Sequence, residues 1–168
     1  MRINPLTAIF HFFKFTLILS FLLSQISIAA DTAIYSHSKK GAIKGADAVA
    51  YYSLKAGDKA IIGSDHFSHE WMGAKWKFVS AENRDKFAAD PKRYAPQYGG
   101  YCAFAVSHGF TKPVNPDKWK IVDGKLYLNL NGIAYRKWQK DQDAAIVRAN
   151  KNWPSVLTAC EKNDNCNQ

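Results

Sequence analysis

Residues 76–106 read WKFVSAENRDKFAADPKRYAPQYGGYCAFAV, and their reading decides the fold. Trp76, Phe78 and Val79 run in short extended alternation and predict the end of a strand. Ser80 then supplies an N-cap oxygen for a helix with Glu82 in its first turn and Phe87 facing inward. Asp90-Pro91 closes that helix, and Pro91 to Tyr94 forms one more turn. Tyr94, Tyr98 and Tyr101 bring large amphipathic rings to the same region. Gly99-Gly100 permits a sharp backbone turn, so that Tyr101 to Val106 starts a new helix with Cys102 in its first turn, where a helix dipole favours a thiolate.

Downstream, Lys118 to Val122 and Lys125 to Leu130 flank Asp123-Gly124, a strong two-residue hairpin turn, with Leu126, Leu128 and Leu130 lining one face. Asn131 caps a helix through Ala134, Tyr135 and Trp138. A last helix runs from Asp143 to Asn152 with Ile146 and Val147 inward, and Pro154 follows it. Upstream, Ala48 to Ser53 reads as the first strand, and Lys55 to Lys59 as a turn. Residues 31–44 read as a polar linker, in which His37 between two serines is a solvated loop residue. The fold class expected is α+β: one domain over residues 45–157, a small antiparallel sheet with several short packing helices, followed by a tail over residues 158–168. Its core is expected to hold Trp76, Phe78, Phe87, Phe104, Leu126 and Leu128.

Residues 1–30 read as an export signal: Arg2 and Lys14 give a positive n-region, Phe15 to Leu23 an apolar run, and Ser27-Ile28-Ala29 small residues at a cleavage site. The apolar run falls short of the ~20 residues that span a bilayer, so no membrane span is expected once it is removed. Localisation is therefore expected to be periplasmic or secreted. The remaining chain of about 140 residues is enough for a single core. A composition 47% hydrophobic and 14% aromatic belongs to a folded protein. The formal charge is +9, and losing Arg2 and Lys14 lowers it to about +7. The lysines are scattered and export removes most nucleic acid from reach, so no nucleic-acid partner is expected. No internal repeat, Gly-rich phosphate loop or Gly-x-Ser-x-Gly nucleophile turn is present.

The order Trp76-Lys77-Phe78-Val79-Ser80, then Phe87-Ala88-Ala89-Asp90-Pro91-Lys92-Arg93-Tyr94, resembles the YHS-domain family. The continuation into Tyr98-Gly99-Gly100-Tyr101-Cys102-Ala103 and a hairpin over Trp119 to Leu130 is most similar to its exported, single-domain branch. The resemblance covers roughly Ile43 to Leu157. It implies a small α+β domain, and metal binding, because related modules accompany copper-transporting ATPases. The metal-associated relatives carry cysteines in an Asp-Pro-Val-Cys turn and a Phe-Cys-Ser-x-x-Cys segment. Here those places read Asp47-Ala48-Val49-Ala50 and Phe78-Val79-Ser80-Ala81-Glu82-Asn83, without a thiol.

Candidate metal ligands are Cys102, His108, His69 and His66. In a strand His66 and His69 diverge, in a helix they share a face with Glu70, and the Met72-Gly73-Ala74 turn favours the strand. Cys102 and His108 differ by about 240° on a straight helix, so they meet only if the helix stops first, and Gly109 suggests that it does. Cys160 and Cys166, with five residues between them in an exported tail, predict a local disulfide and leave Cys102 the odd thiol, either a small buried cysteine packed under its helix or a metal ligand or reactive thiol.

Three function classes follow. The first is an exported metal-binding module, for copper, in which Cys102 and histidine ligate a soft ion and the thiol is moderately reactive. The second is a non-catalytic module for a small-molecule ligand or a protein partner, using the surface around Tyr98 and Tyr101. The third is a thiol-dependent enzyme with Cys102 as nucleophile, which needs a base within hydrogen-bond reach.

Overall fold

The computed structural model describes residues 33–163 and residue 166. The proposed signal, residues 1–30, lies outside the described residues.

The stretch around Phe87 folds by its local signals. Strands β3 (Ser64–Trp71) and β4 (Ala74–Phe78) pair antiparallel, His69 opposite Trp76 and Trp71 opposite Ala74, with a bulge between Ser64 and Ser68. Met72 and Gly73 both take positive φ, which matches the twist of a two-residue hairpin turn. Alternation along β4 buries Ala74, Trp76 and Phe78. Ser80 Oγ accepts from the Asn83 amide at 3.2 Å and starts α1 (Ala81–Ala89). Phe87 is the one buried residue of α1, its ring 4.8 Å from that of Trp76, 5.1 Å from Phe78 and 5.8 Å from Trp71. Asp90 caps α2 (Pro91–Tyr94), with Pro91 in the first position where its missing N–H costs nothing.

Next comes a 3₁₀ segment, Gln97–Gly100, in which Tyr98, Gly99 and Gly100 all have positive φ. A Cβ on Gly99 would overlap the Ala33 carbonyl, so glycine lets the N-terminal segment seat there, with Tyr35 N donating to Gly99 O at 2.8 Å. Residues 33–44, within the expected linker 31–44, are thus part of the fold and supply core residues. Ile34, Tyr35, Ala42 and Ile43 are buried, and the short strands β1 (Ser36–His37) and β2 (Gly41–Ala42) pair antiparallel.

Helix α3 (Ala103–Val106) is a single turn. Strands β5 (Asn115–Val122) and β6 (Lys125–Asn129) form the expected hairpin, with Asp123 and Gly124 at positive φ. Strand β6 is buried on both faces: Tyr127 and Asn129 are covered as well as Leu126 and Leu128, while Leu130 just beyond it is partly covered. Asn131 Oδ1 accepts from the Ile133 and Ala134 amides and caps α4 (Gly132–Lys140), which turns Ala134 and Trp138 inward. Of the expected core residues, Phe104 alone is only partly buried.

Two further expectations are overturned. The strand expected over Ala48 to Ser53 is a 3₁₀ helix, Ala50–Ser53. Asp47 Oδ1 accepts from the Val49 and Ala50 amides at 2.9 and 3.0 Å, which gives the backbone local partners in place of a sheet ladder. The last helix does not stop before Pro154: α5 runs Gln142–Asn163 with Pro154 inside. Its inward stripe is Ala145, Ala149, Val156 and Cys160, whereas Val147, expected inward, is 67% exposed. Burial of that stripe against α3 and its neighbours offsets the hydrogen bond that Pro154 gives up.

The described elements form one α+β domain, and the expected sheet is three separate two-stranded antiparallel sheets. No described helix is long and apolar enough to cross a membrane. Replacing Phe87 by Ala should cost about 3–5 kcal/mol, read as a lower midpoint in denaturant unfolding. An unchanged midpoint would contradict the packing of α1.

Candidate functional site

Cys102 is the N-cap of α3, at the end of the glycine turn, and is 1% exposed. Its Sγ accepts from the Leu130 amide at 3.3 Å and lies 3.8 Å from Asn129 Oδ1. That oxygen also accepts from the Phe104 amide at 3.2 Å, which fixes the side chain of the buried Asn129. Burial pushes the Cys102 thiol up, against a smaller opposing pull from the amides of Ala105, Leu130 and Phe104. Of the two readings of Cys102, the structure favours the small buried cysteine over the dipole-activated thiolate.

His108 lies beyond the end of α3 and is exposed. Its Nδ1 sits 2.8 Å from the Phe104 carbonyl and 3.0 Å from Ser107 Oγ, and its ring packs on Phe104. The helix does stop before His108, yet the sulfur points into the core while the imidazole lies at the surface. On β3, His66 is exposed against Phe67, and His69 is half-buried with its ring 6.2 Å from that of Phe87. Among the described residues no three of His, Cys, Asp and Glu gather where they could hold one metal ion.

The tyrosine surface expected at Tyr98 and Tyr101 is interior. Tyr101 is fully buried, its ring beside those of Tyr35 and Trp153. Tyr98 packs on Tyr127 and Trp153 and donates its hydroxyl to Asn150 Oδ1 at 2.9 Å. Both rings hold α5 against the glycine turn. Burial pushes both phenols up, so neither ionises at neutral pH.

A concave aromatic site lies elsewhere, as a cleft of about 280 Å³. One wall is the 3₁₀ helix Ala50–Ser53 and its exit, with Tyr51, Tyr52 and Leu54; β5 contributes Trp119 and Ile121, and α4 contributes Tyr135. Tyr51 meets Trp119 edge-on at 5.2 Å and donates its hydroxyl to Pro116 O at 3.0 Å. Trp119 Nε1 donates to Asp58 O at 2.9 Å, and the Tyr52 hydroxyl to Arg93 O at 2.8 Å. Three rings are thus tethered at their polar ends to backbone carbonyls, which sets their orientation before any ligand arrives. Burial pushes the Tyr51, Tyr52 and Tyr135 phenols up, so these hydroxyls remain hydrogen-bond donors at neutral pH.

The strand expected over Ala48 to Ser53 hides this cleft, because successive residues of a strand, here Tyr51 and Tyr52, point to opposite faces. At three residues per turn, adjacent side chains are about 120° apart and can border one cavity. The available signal was Asp47, whose carboxylate can accept from the amides two and three residues on and so offers the chain a turn in place of a strand.

Cys160 and Cys166 pair as a disulfide at the end of α5, and Cys102 is the free cysteine. No family model, curated protein or solved structure matches this chain.

Two outcomes follow for the thiols. Unfolded without reductant, the protein should take up label at Cys102 alone, and after reduction at all three cysteines. In the native state at pH 7 Cys102 should react far more slowly than in the unfolded chain, accelerating only as pH rises past the usual thiol range of about 8.5. Rapid native labelling at pH 7 would contradict the buried, protonated thiol.

Proposed function

We propose that this protein is an exported, non-catalytic module that binds a small organic ligand in the cleft formed by Tyr51, Tyr52, Trp119 and Tyr135. The observation that carries this reading is the set of rings fixed by backbone hydrogen bonds around a cavity of about 280 Å³. Ligand sites are typically concave and mostly apolar, with a few placed polar groups. Here Tyr135, Gln139 and Lys120 are lining residues that carry polar groups.

The resemblance to the YHS-domain family supports the role of a small binding domain, and its departures from the metal-associated pattern weigh against copper. The two segments that carry cysteines in those relatives are joined here by Asp47, whose Oδ2 accepts from the Val79 amide at 2.9 Å and from Asn83 Nδ2 at 2.8 Å. A carboxylate and an amide offer hard donors where a soft ion wants sulfur. A copper module would have to draw Cys102 and His108 or His69 from separate surroundings. A thiol enzyme would need a base at Cys102, whose neighbours are the Asn129 amide oxygen and the Leu130 N–H. Export is inferred from the signal-like N-terminus, and a Cys160–Cys166 disulfide fits an oxidising compartment.

The test is NMR titration of the purified protein with a set of small aromatic compounds, comparing wild type with Ala56→Trp. Ala56 lies at the exposed rim of the cleft, so a large ring there fills it without disturbing the core. Compounds should shift the Trp119 indole N–H in wild type and lose that effect in the variant. No response at Trp119, or one that persists with the rim filled, would contradict the proposal.

A further inference from the structure

The cleft opens beside a second, more polar recess of about 520 Å³, and Lys120 and Gln139 border both. The Lys120 ammonium is partly buried and donates to Gln142 Oε1 at 2.6 Å. Gln142 is neutral, so it solvates the charge without cancelling it. Of the two carboxylates of the recess, one is neutralised by an arginine and the other is bonded to the same Gln142. Asp141 Oδ2 pairs with Arg148 at 2.6 Å, and Asp143 Oδ1 accepts from Gln142 Nε2 at 3.3 Å. Among the described residues no carboxylate lies within ion-pair distance of Lys120. Lys140, a second cation, borders the same recess.

A cation that no carboxylate neutralises thus stands at the boundary between rigid aromatic walls and an open polar space. A partly desolvated ammonium in that position gains most from an anionic group on a molecule already held by its rings. The cleft is just below the ~300–1,000 Å³ of pockets that take drug-sized ligands, which limits the occupant to one or two fused rings.

We infer that the ligand is a small aromatic carboxylate, its planar body lying in the cleft against Tyr52, Tyr135 and the outer edge of the packed Tyr51–Trp119 pair, and its acid group meeting Lys120 at the mouth of the recess. This rests on the cleft being the binding site. The carboxylate accepts a hydrogen bond from the Lys120 ammonium beside Gln142, and the Tyr135 hydroxyl can donate to a second ligand oxygen.

The test uses naphthalene-2-carboxylate and the neutral naphthalene-2-carboxamide, titrated into the purified protein at low salt with the Trp119 indole N–H as reporter. The acid should bind about tenfold more tightly than the amide, the effect of one charge-assisted hydrogen bond. That preference should vanish in Lys120→Met, persist in large part in Lys140→Met, and shrink in wild type as salt is raised to about 1 M. The salt arm needs no variant, so it decides the matter even if Lys120→Met folds poorly. Equal binding of acid and amide, or an acid preference untouched by both salt and Lys120→Met, would overturn the carboxylate assignment and leave the cleft as the site. No shift of Trp119 by either compound would overturn the cleft reading itself.

Discussion

The carboxylate of Asp47 is the point on which the arrangement turns. It is completely buried and accepts four hydrogen bonds, from the amides of Val49, Ala50 and Val79 and from the side chain of Asn83. Burying a carboxylate is expensive, and the expense is met only where donors converge on both oxygens. Here each oxygen serves a different part of the chain. Oδ1 starts the 3₁₀ helix Ala50–Ser53, and Oδ2 holds the end of β4 and the first turn of α1. One side chain therefore sets the position of Tyr51 and Tyr52 relative to the hairpin and helix packed around Phe87.

From that junction the cleft follows. Tyr51 reaches the carbonyl of Pro116 and the ring of Trp119, and Tyr52 reaches the carbonyl of Arg93 and the ring of Tyr94. The 3₁₀ helix is thereby bonded to β5 on one side and to α2 on the other. Rings held this way would lose little conformational freedom to a ligand in the cleft, so contact energy would go to affinity and not to ordering. Cys102 sits in the opposite situation. It is chemically the most distinctive residue of the domain, but the packing that brings α3 against β6 encloses its sulfur.

What could be read in the sequence was whatever is decided within a few residues. The caps Ser80, Asp90 and Asn131, the Asp123-Gly124 turn and the inward phase of Trp76, Phe78 and Phe87 all depend on local geometry, and the structure has each of them. Partners distant in sequence decided the rest. Residues 33–44 look polar, yet Tyr35 finds the Gly99 carbonyl and Ile43 a core position. Pro154 looks terminal, yet the stripe through Val156 and Cys160 carries α5 past it. The candidate site was less legible than the fold for the same reason. Tyr51, Trp119 and Tyr135 come from three separate segments, and no spacing along the chain announces that they meet. For Cys102 the helix terminus was legible, while a buried cysteine and a reactive thiol both stayed open, and burial, which decides the chemistry of a thiol, settles on the first.

The measurement closest to the central claim is native-state hydrogen exchange at Val49, Ala50 and Val79 in wild type and Asp47→Asn, alongside the near-ultraviolet signal of the cleft aromatics. If the carboxylate joins these segments, all three amides are protected in wild type. They lose protection together in the variant, and the Tyr51–Trp119 environment changes with them. Unchanged protection at Val79 with an unaltered aromatic signal in Asp47→Asn would show that the junction and the cleft are held by something else.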